Sequence, residues 1–160
     1  MGTKIKAIPL IGSIAICFLA GAIGSLFTYQ YIPTWYASLN KPFFNPPNWV
    51  FGPVWSTLYL MMGVSLYLIW QIHSKKKEKT VALKYFFTQL ALNTLWSIVF
   101  FGLQAPLPAF IVIICLWIMI FLTIKQSFSL SKAAAWLLVP YLAWVSFASL
   151  LNISIVILNR

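Results

Sequence analysis

Residues 34–55 read TWYASLNKPFFNPPNWVFGPVW, and they join one long apolar run to the next. Trp35, Tyr36, Phe43, Phe44, Trp49, Phe51 and Trp55 are interleaved with Pro42, Pro46, Pro47 and Pro53, and Lys41 is the only charge. A connector between membrane spans is ordinarily short and polar. Aromatic rings with a polar edge settle instead at the membrane–water interface, and prolines fix the backbone between them. The stretch therefore predicts a preformed rim or lid rather than a tether.

Outward from this connector the chain is overwhelmingly apolar. Of its 160 residues 62% are hydrophobic and 8% charged, with a mean hydropathy of +0.92, far above a soluble domain. Runs long enough to cross a bilayer, which takes about 20 residues, fall at Ile8 to Tyr29, Trp49 to Ile72, Val81 to Leu103, Leu107 to Ile124 and Ala133 to Leu158. The expectation is an all-α integral membrane bundle of five transmembrane helices forming a single domain over 1–160. Pro106 and Pro108 suit the start of the fourth helix, and Ser131 suits the N-cap of the fifth.

A net charge of +10, with Glu78 the single acid, would point to nucleic acid in a soluble protein. Here the basic residues lie almost entirely between the apolar runs, so they report topology, and no nucleic-acid partner is implied. Lys4, Lys6, Lys75, Lys76, Lys77, Lys79, Lys84, Lys125 and Lys132 fall on one side of a five-span arrangement, against Lys41 and Arg160 on the other. By the positive-inside rule the N-terminus is cytoplasmic, and the C-terminus and the 34–55 connector are outside. The basic start Met1 to Lys6 and the small residues Ala20-Gly21-Ala22 also resemble a signal peptide, but the run exceeds the usual 7 to 15 residues, so the first helix is expected to stay. Residues 73–80, HSKKKEKT, read as a retained cytoplasmic loop before they read as a lipid-binding patch. His73 has no second ligand or carboxylate near it in sequence.

Composition excludes most chemistry. No carboxylate, His or Arg lies within the five runs, which removes the usual carriers of charge through a bilayer. It also removes the Ser-His-Asp, paired-carboxylate and HExxH types of site. Cys17 and Cys115 sit inside apolar runs without metal-ligand spacing, and both read as small packing residues. No metal site and no required cofactor follow.

What remains at depth are amides and rings. Residues three or four apart share a helix face, which groups Trp55 with Tyr59, Asn93 with Trp96, and Trp144 with Ala148 and Asn152, with Phe147 beside them and Tyr141 one turn away. A buried amide serves interhelical hydrogen bonding, the orientation of an apolar ligand, or both. Walls of this kind suit a flat, conjugated molecule such as a tetrapyrrole or a sterol. On the first helix Cys17, Gly21 and Ser25, with Ala20 and Gly24, form a narrow side for close approach within the bundle or across a dimer.

Three ordered blocks carry a family resemblance: WYASLNKPFFNPPNWVFGPVWSTLYLMMG at 35–63, LALNTLWSIVFFG at 90–102 and AWLLVPYLAWVSFASLLN at 135–152. Together they resemble the TspO/MBR family of tryptophan-rich sensory and translocator proteins. The resemblance implies a five-helix bundle, commonly a homodimer, with a pocket open toward the first connector. It also implies ligands such as protoporphyrin IX and haem, cholesterol and benzodiazepine-type compounds, and a role in porphyrin sensing, transport or homeostasis, while abundant Ile and Lys in a short chain point to a bacterial plasma membrane. Carried onto this chain, the pocket would use Tyr36, Pro46, Pro47, Trp55, Tyr59, Asn93, Trp96, Trp144, Phe147, Ala148 and Leu151. Trp55 and Trp144 would be catalytic if the protein breaks down protoporphyrin in light and oxygen. Tyr36 is expected to close the pocket. One departure stands out: Leu151 and Asn152 are followed by Ile153, where the animal sterol-recognition segment has a tyrosine, so sterol is the weaker expectation.

Overall fold

The computed structural model describes residues 6–73 and 75–160. Lys4 and the basic start of the leader-like reading lie outside the described residues, as does Ser74. Five long α-helices carry the chain: α1 (Ala7–Thr28), α2 (Asn48–Trp70), α3 (Lys76–Ser97), α4 (Pro106–Phe128) and α5 (Lys132–Leu158). Two π-helical turns interrupt the pattern, Ile32–Tyr36 in the connector and Ile98–Gly102 directly after α3. The helices close into a ring in the order α1, α2, α5, α4, α3, and α2 also touches α3 across the middle.

Local chemistry accounts for the helix starts. The Ser131 hydroxyl accepts the backbone N–H of Ala134 at 3.3 Å as an N-cap for α5. Pro106 opens α4, where its missing N–H costs nothing. Pro47, with extended backbone, stops the connector immediately before α2. Pro53 and Pro140 lie inside α2 and α5, and each leaves the carbonyl four residues earlier without its helical donor.

Four helices, α1, α2, α4 and α5, are long and apolar enough to cross a membrane, and their outer faces carry bare side chains such as Ile11, Leu19, Ile111 and Phe121. Such faces need lipid around them. α3 falls short of that standard for a physical reason. It begins at Lys76 rather than at Val81, so lysines fill its first turns, and Gln89 and Asn93 farther along are turned into the bundle. Its apolar run ends in the π turn, not in regular α-helix.

One expectation about single residues needs correction. Cys17 is fully buried, as a packing residue should be, but Cys115 is exposed on the outer side of α4. The basic loop is also less free than its charge implies: Lys75 Nζ donates to the Ser129 carbonyl at 2.6 Å and Lys79 Nζ to the Ile72 carbonyl at 3.1 Å. These cations bind open carbonyls at helix ends.

The connector is tied down near its middle, at Asn40 and Lys41. The backbone N–H of Asn40 donates to Asn159 Oδ1, and Asn159 Nδ2 donates back to the Asn40 carbonyl, both at 2.9 Å. Lys41 Nζ donates to the carbonyls of Tyr36, Ala37 and Leu39 at 2.8, 3.1 and 2.8 Å. Replacing Asn159 by Ala is expected to speed backbone hydrogen exchange across residues 37–45 while α2 to α4 keep their protection. Unchanged exchange in the connector would show that the amide pair does not hold it.

Candidate ligand-binding site

The site is built on a pair of aromatic rows. Along α2, Phe51, Trp55 and Tyr59 follow one another at helical spacing, and Trp55 stacks on Tyr59 with ring centroids 5.6 Å apart. Along α5, Trp144 lies 6.0 Å from Phe51, and Trp55 meets Tyr141 edge-on at 6.2 Å. Edge and offset contacts of this kind stiffen rings beyond simple burial.

A third helix supplies the hydrogen bonds beneath them. The Tyr59 hydroxyl donates to Asn93 Oδ1 at 2.6 Å, and Asn93 Nδ2 donates to the Tyr141 hydroxyl at 3.1 Å. Asn93 is only 2% exposed, so its amide joins α2, α3 and α5 at one point. Nearer the connector, Trp96 Nε1 donates to Asn152 Oδ1 at 3.0 Å and Asn152 Nδ2 donates to the Pro106 carbonyl at 2.7 Å. That second amide links α3, α4 and α5.

The π turn after α3 explains why the connector docks where it does. In this turn the successive residues Phe100 and Phe101 are both buried, and together they form the platform on which the connector rests. Trp35 and Tyr36, at the end of the other π turn, pack on them: Trp35 is 5.6 Å from Phe100 and Tyr36 is 5.7 Å from Phe101. Tyr36 also donates to Asn45 Oδ1 at 2.8 Å, and Lys41 Nζ stands 5.1 Å from its ring centre. Burial pushes the Tyr36 hydroxyl above the ordinary phenol pKa, partly offset by the Asn45 bond. At 5% exposure Tyr36 is a pin rather than a closing flap, which corrects the expectation drawn above.

Between these walls lies a cavity of about 550 Å³ at the connector end of the bundle. Of the residues named for the pocket in the sequence, Tyr36, Trp55, Tyr59, Trp96, Trp144, Ala148 and Leu151 line it. Asn93, Pro46, Pro47 and Phe147 do not reach the wall. Asn93 sits below Tyr59, and Phe147 packs behind Trp144 at 5.4 Å. Other lining residues went unnoticed in the sequence: Phe51, Trp49 and Gly52 from α2, Phe100 and Phe101 from the π turn, and Gly21, Ala22 and Ser25 from α1. Phe51 could have been found, because it lies four residues before Trp55. The small face of α1 was visible, but its partner was not: Gly21 lies under the Tyr59 ring and Gly24 against Ser97. Gly21 therefore serves packing within the bundle and belongs to the cavity, not to a lipid-facing seam.

The lining contains no Asp, Glu, Lys, Arg or His, and among the described residues no group of His, Cys, Asp and Glu is placed to hold a metal. The site can thus bind through stacking, apolar contact and a few neutral hydrogen bonds. Trp144 Nε1 is buried without a partner, so the polar edge of that indole is covered and the cavity meets the apolar part of its ring.

A model of the TspO/MBR family matches residues 13–158. The chain belongs to the TspO/MBR family. The tryptophan-rich protein TspO of Archaeoglobus fulgidus is 49% identical over 152 residues, covering 95% of this chain and 97% of that protein. A protein of the same name from Chlorobaculum tepidum is 47% identical over 146 residues, with 91% and 92% covered. The translocator protein of Homo sapiens is 38% identical over 146 residues, with 91% and 86% covered. This TspO/MBR chain is thereby an integral membrane protein whose three sequence blocks, 35–63, 90–102 and 135–152, supply most of the cavity wall.

The Asn93 junction yields a stability test. Asn93→Leu strands two buried hydroxyls at once and is expected to cost about 2–4 kcal/mol, read as unfolding in detergent micelles. Adding Tyr59→Phe and Tyr141→Phe should recover most of that loss, because no polar group is then left unpaired. A single variant as stable as the parent, or a triple variant worse than the single, would contradict the junction.

Proposed function

We propose that the protein is a five-span membrane protein that binds a tetrapyrrole, protoporphyrin IX or haem, in this cavity and serves porphyrin sensing, transport or homeostasis. α3 is the fifth span. It is packed between α1 and α4, and its amides are turned inward, which removes the need for an apolar surface all round. The charge bias then puts the N-terminus in the cytoplasm and the cavity on the outer side.

The observation that carries the reading is the aromatic, uncharged lining. A conjugated macrocycle presents two flat apolar faces to Trp55, Trp96 and Trp144. The acidic edge of a porphyrin finds no cation inside and stays at the mouth, beside Asn48 and the 75%-exposed Trp49. A volume of about 550 Å³ falls within the range of small-molecule sites. Two relatives are named as a tryptophan-rich sensory protein and a translocator protein, which is compatible with sensing or movement of a bound molecule.

Titration with protoporphyrin IX should quench tryptophan emission saturably, and Trp144→Ala should weaken binding by about 30-fold, the effect of losing a buried anchor worth about 2 kcal/mol. Absence of saturable quenching, or an unchanged affinity in that variant, would overturn the assignment.

A second reading has its own support, because Trp55 and Trp144 both stand on the cavity wall. Both would then face a macrocycle excited by light, and its breakdown would consume dioxygen. Illumination of the complex in air is expected to bleach the porphyrin more slowly in Trp55→Phe and Trp144→Phe. Equal rates would remove the catalytic reading and leave binding intact.

A further inference from the structure

We propose that Gly21 sets the depth of the cavity by fixing where the Tyr59 ring stands, and thereby selects ligands by size. The inference rests on the cavity being a ligand site, and it adds a specificity-determining position on the cavity wall that acts through the placement of Tyr59.

The geometry is tight. A Cβ on Gly21 would lie 2.4 Å from Tyr59 Cε2, 2.7 Å from Cζ and 2.9 Å from Cδ2, distances that real side chains do not tolerate. The missing side chain is the space the ring occupies. Other contacts hold Tyr59 in that space: its ring stacks on Trp55 and leans on Phe18 at 6.1 Å, and its hydroxyl is bonded to Asn93. With Trp55 stacked beside it and Asn93 holding its hydroxyl, a ring pushed off α1 moves toward the cavity that both residues line.

Displacement has two linked consequences. The cavity becomes shallower on the side of Trp55, and the Tyr59–Asn93 bond is broken or bent. Only a ligand large enough to reach the Tyr59 ring feels the first consequence. A small flat ligand seated near the mouth keeps its contacts with Trp144 and Trp49.

The test is a double-mutant cycle of Gly21→Ala and Tyr59→Leu in the full chain, read with two probes of like chemistry and different size, protoporphyrin IX and a two-ring dipyrromethene. Gly21→Ala is expected to weaken protoporphyrin IX binding by about tenfold or more, the size of a modest steric overlap, and to change dipyrromethene binding by less than about twofold. In the Tyr59→Leu background Gly21→Ala should have no effect on either probe. The same cycle read as thermal unfolding without ligand should show destabilisation by Gly21→Ala only when Tyr59 is present. If Gly21→Ala fails to fold in the parent yet folds with Tyr59→Leu, the pairing is supported. Equal losses for both probes, or equal effects of Gly21→Ala in both backgrounds, would overturn it. A parent protein that binds neither probe would refute the ligand site itself and the size selection with it, while the unfolding cycle still decides the Gly21–Tyr59 pairing.

Discussion

Asn93 stands in the middle of an apolar bundle, and its amide is paired with one hydroxyl from α2 and one from α5. In hydrocarbon an unpaired polar group has no water to turn to. The three helices are therefore held at one mutual register, with the Tyr59 ring directed toward α1 and Tyr141 held under Trp55. The floor of the cavity is a by-product of that constraint. Everything above it, the stacked Trp55 and the opposing Trp144, stands on α2 and α5 at positions the Asn93 junction sets.

The connector completes the cavity by a different kind of force. Aromatic burial of Trp35 and Tyr36 on Phe100 and Phe101 supplies the attachment, and the Asn40–Asn159 pair and the Lys41 cap give it direction. Lys41 spends its charge on three carbonyls, so a cation that might have drawn an acidic ligand inward is committed to holding the loop. The result is a neutral chamber under a braced rim, which favours stacking over ionic recognition.

Much of this was legible in residues whose message is local. Helical spacing put Trp55 with Tyr59 and Trp144 with Ala148, and each pair does share the cavity wall. Ser131 and Pro106 marked two helix starts because capping acts within one turn. What stayed hidden depends on non-local geometry. The π turn at Ile98–Gly102 has no signature in residue type, so the inward turn of both Phe100 and Phe101 could not be read, and Tyr36 was taken for a flap when it is their buried partner. Gly21 announced a close approach without naming Tyr59 as what approaches. Cys115 sits in an apolar run like Cys17, yet it faces outward, because an all-apolar helix gives no clue to which side is lipid. The same ambiguity affects α3, whose inward amides lower its hydropathy.

The most direct measurement is a structure of the protein determined with protoporphyrin IX bound in lipid or detergent. The macrocycle is expected between Trp55 and Trp144, above the Tyr59–Asn93–Tyr141 junction, with its acidic edge at the mouth beside Trp49. A macrocycle seated on the outer faces of the helices, with the cavity unfilled, would contradict the assignment.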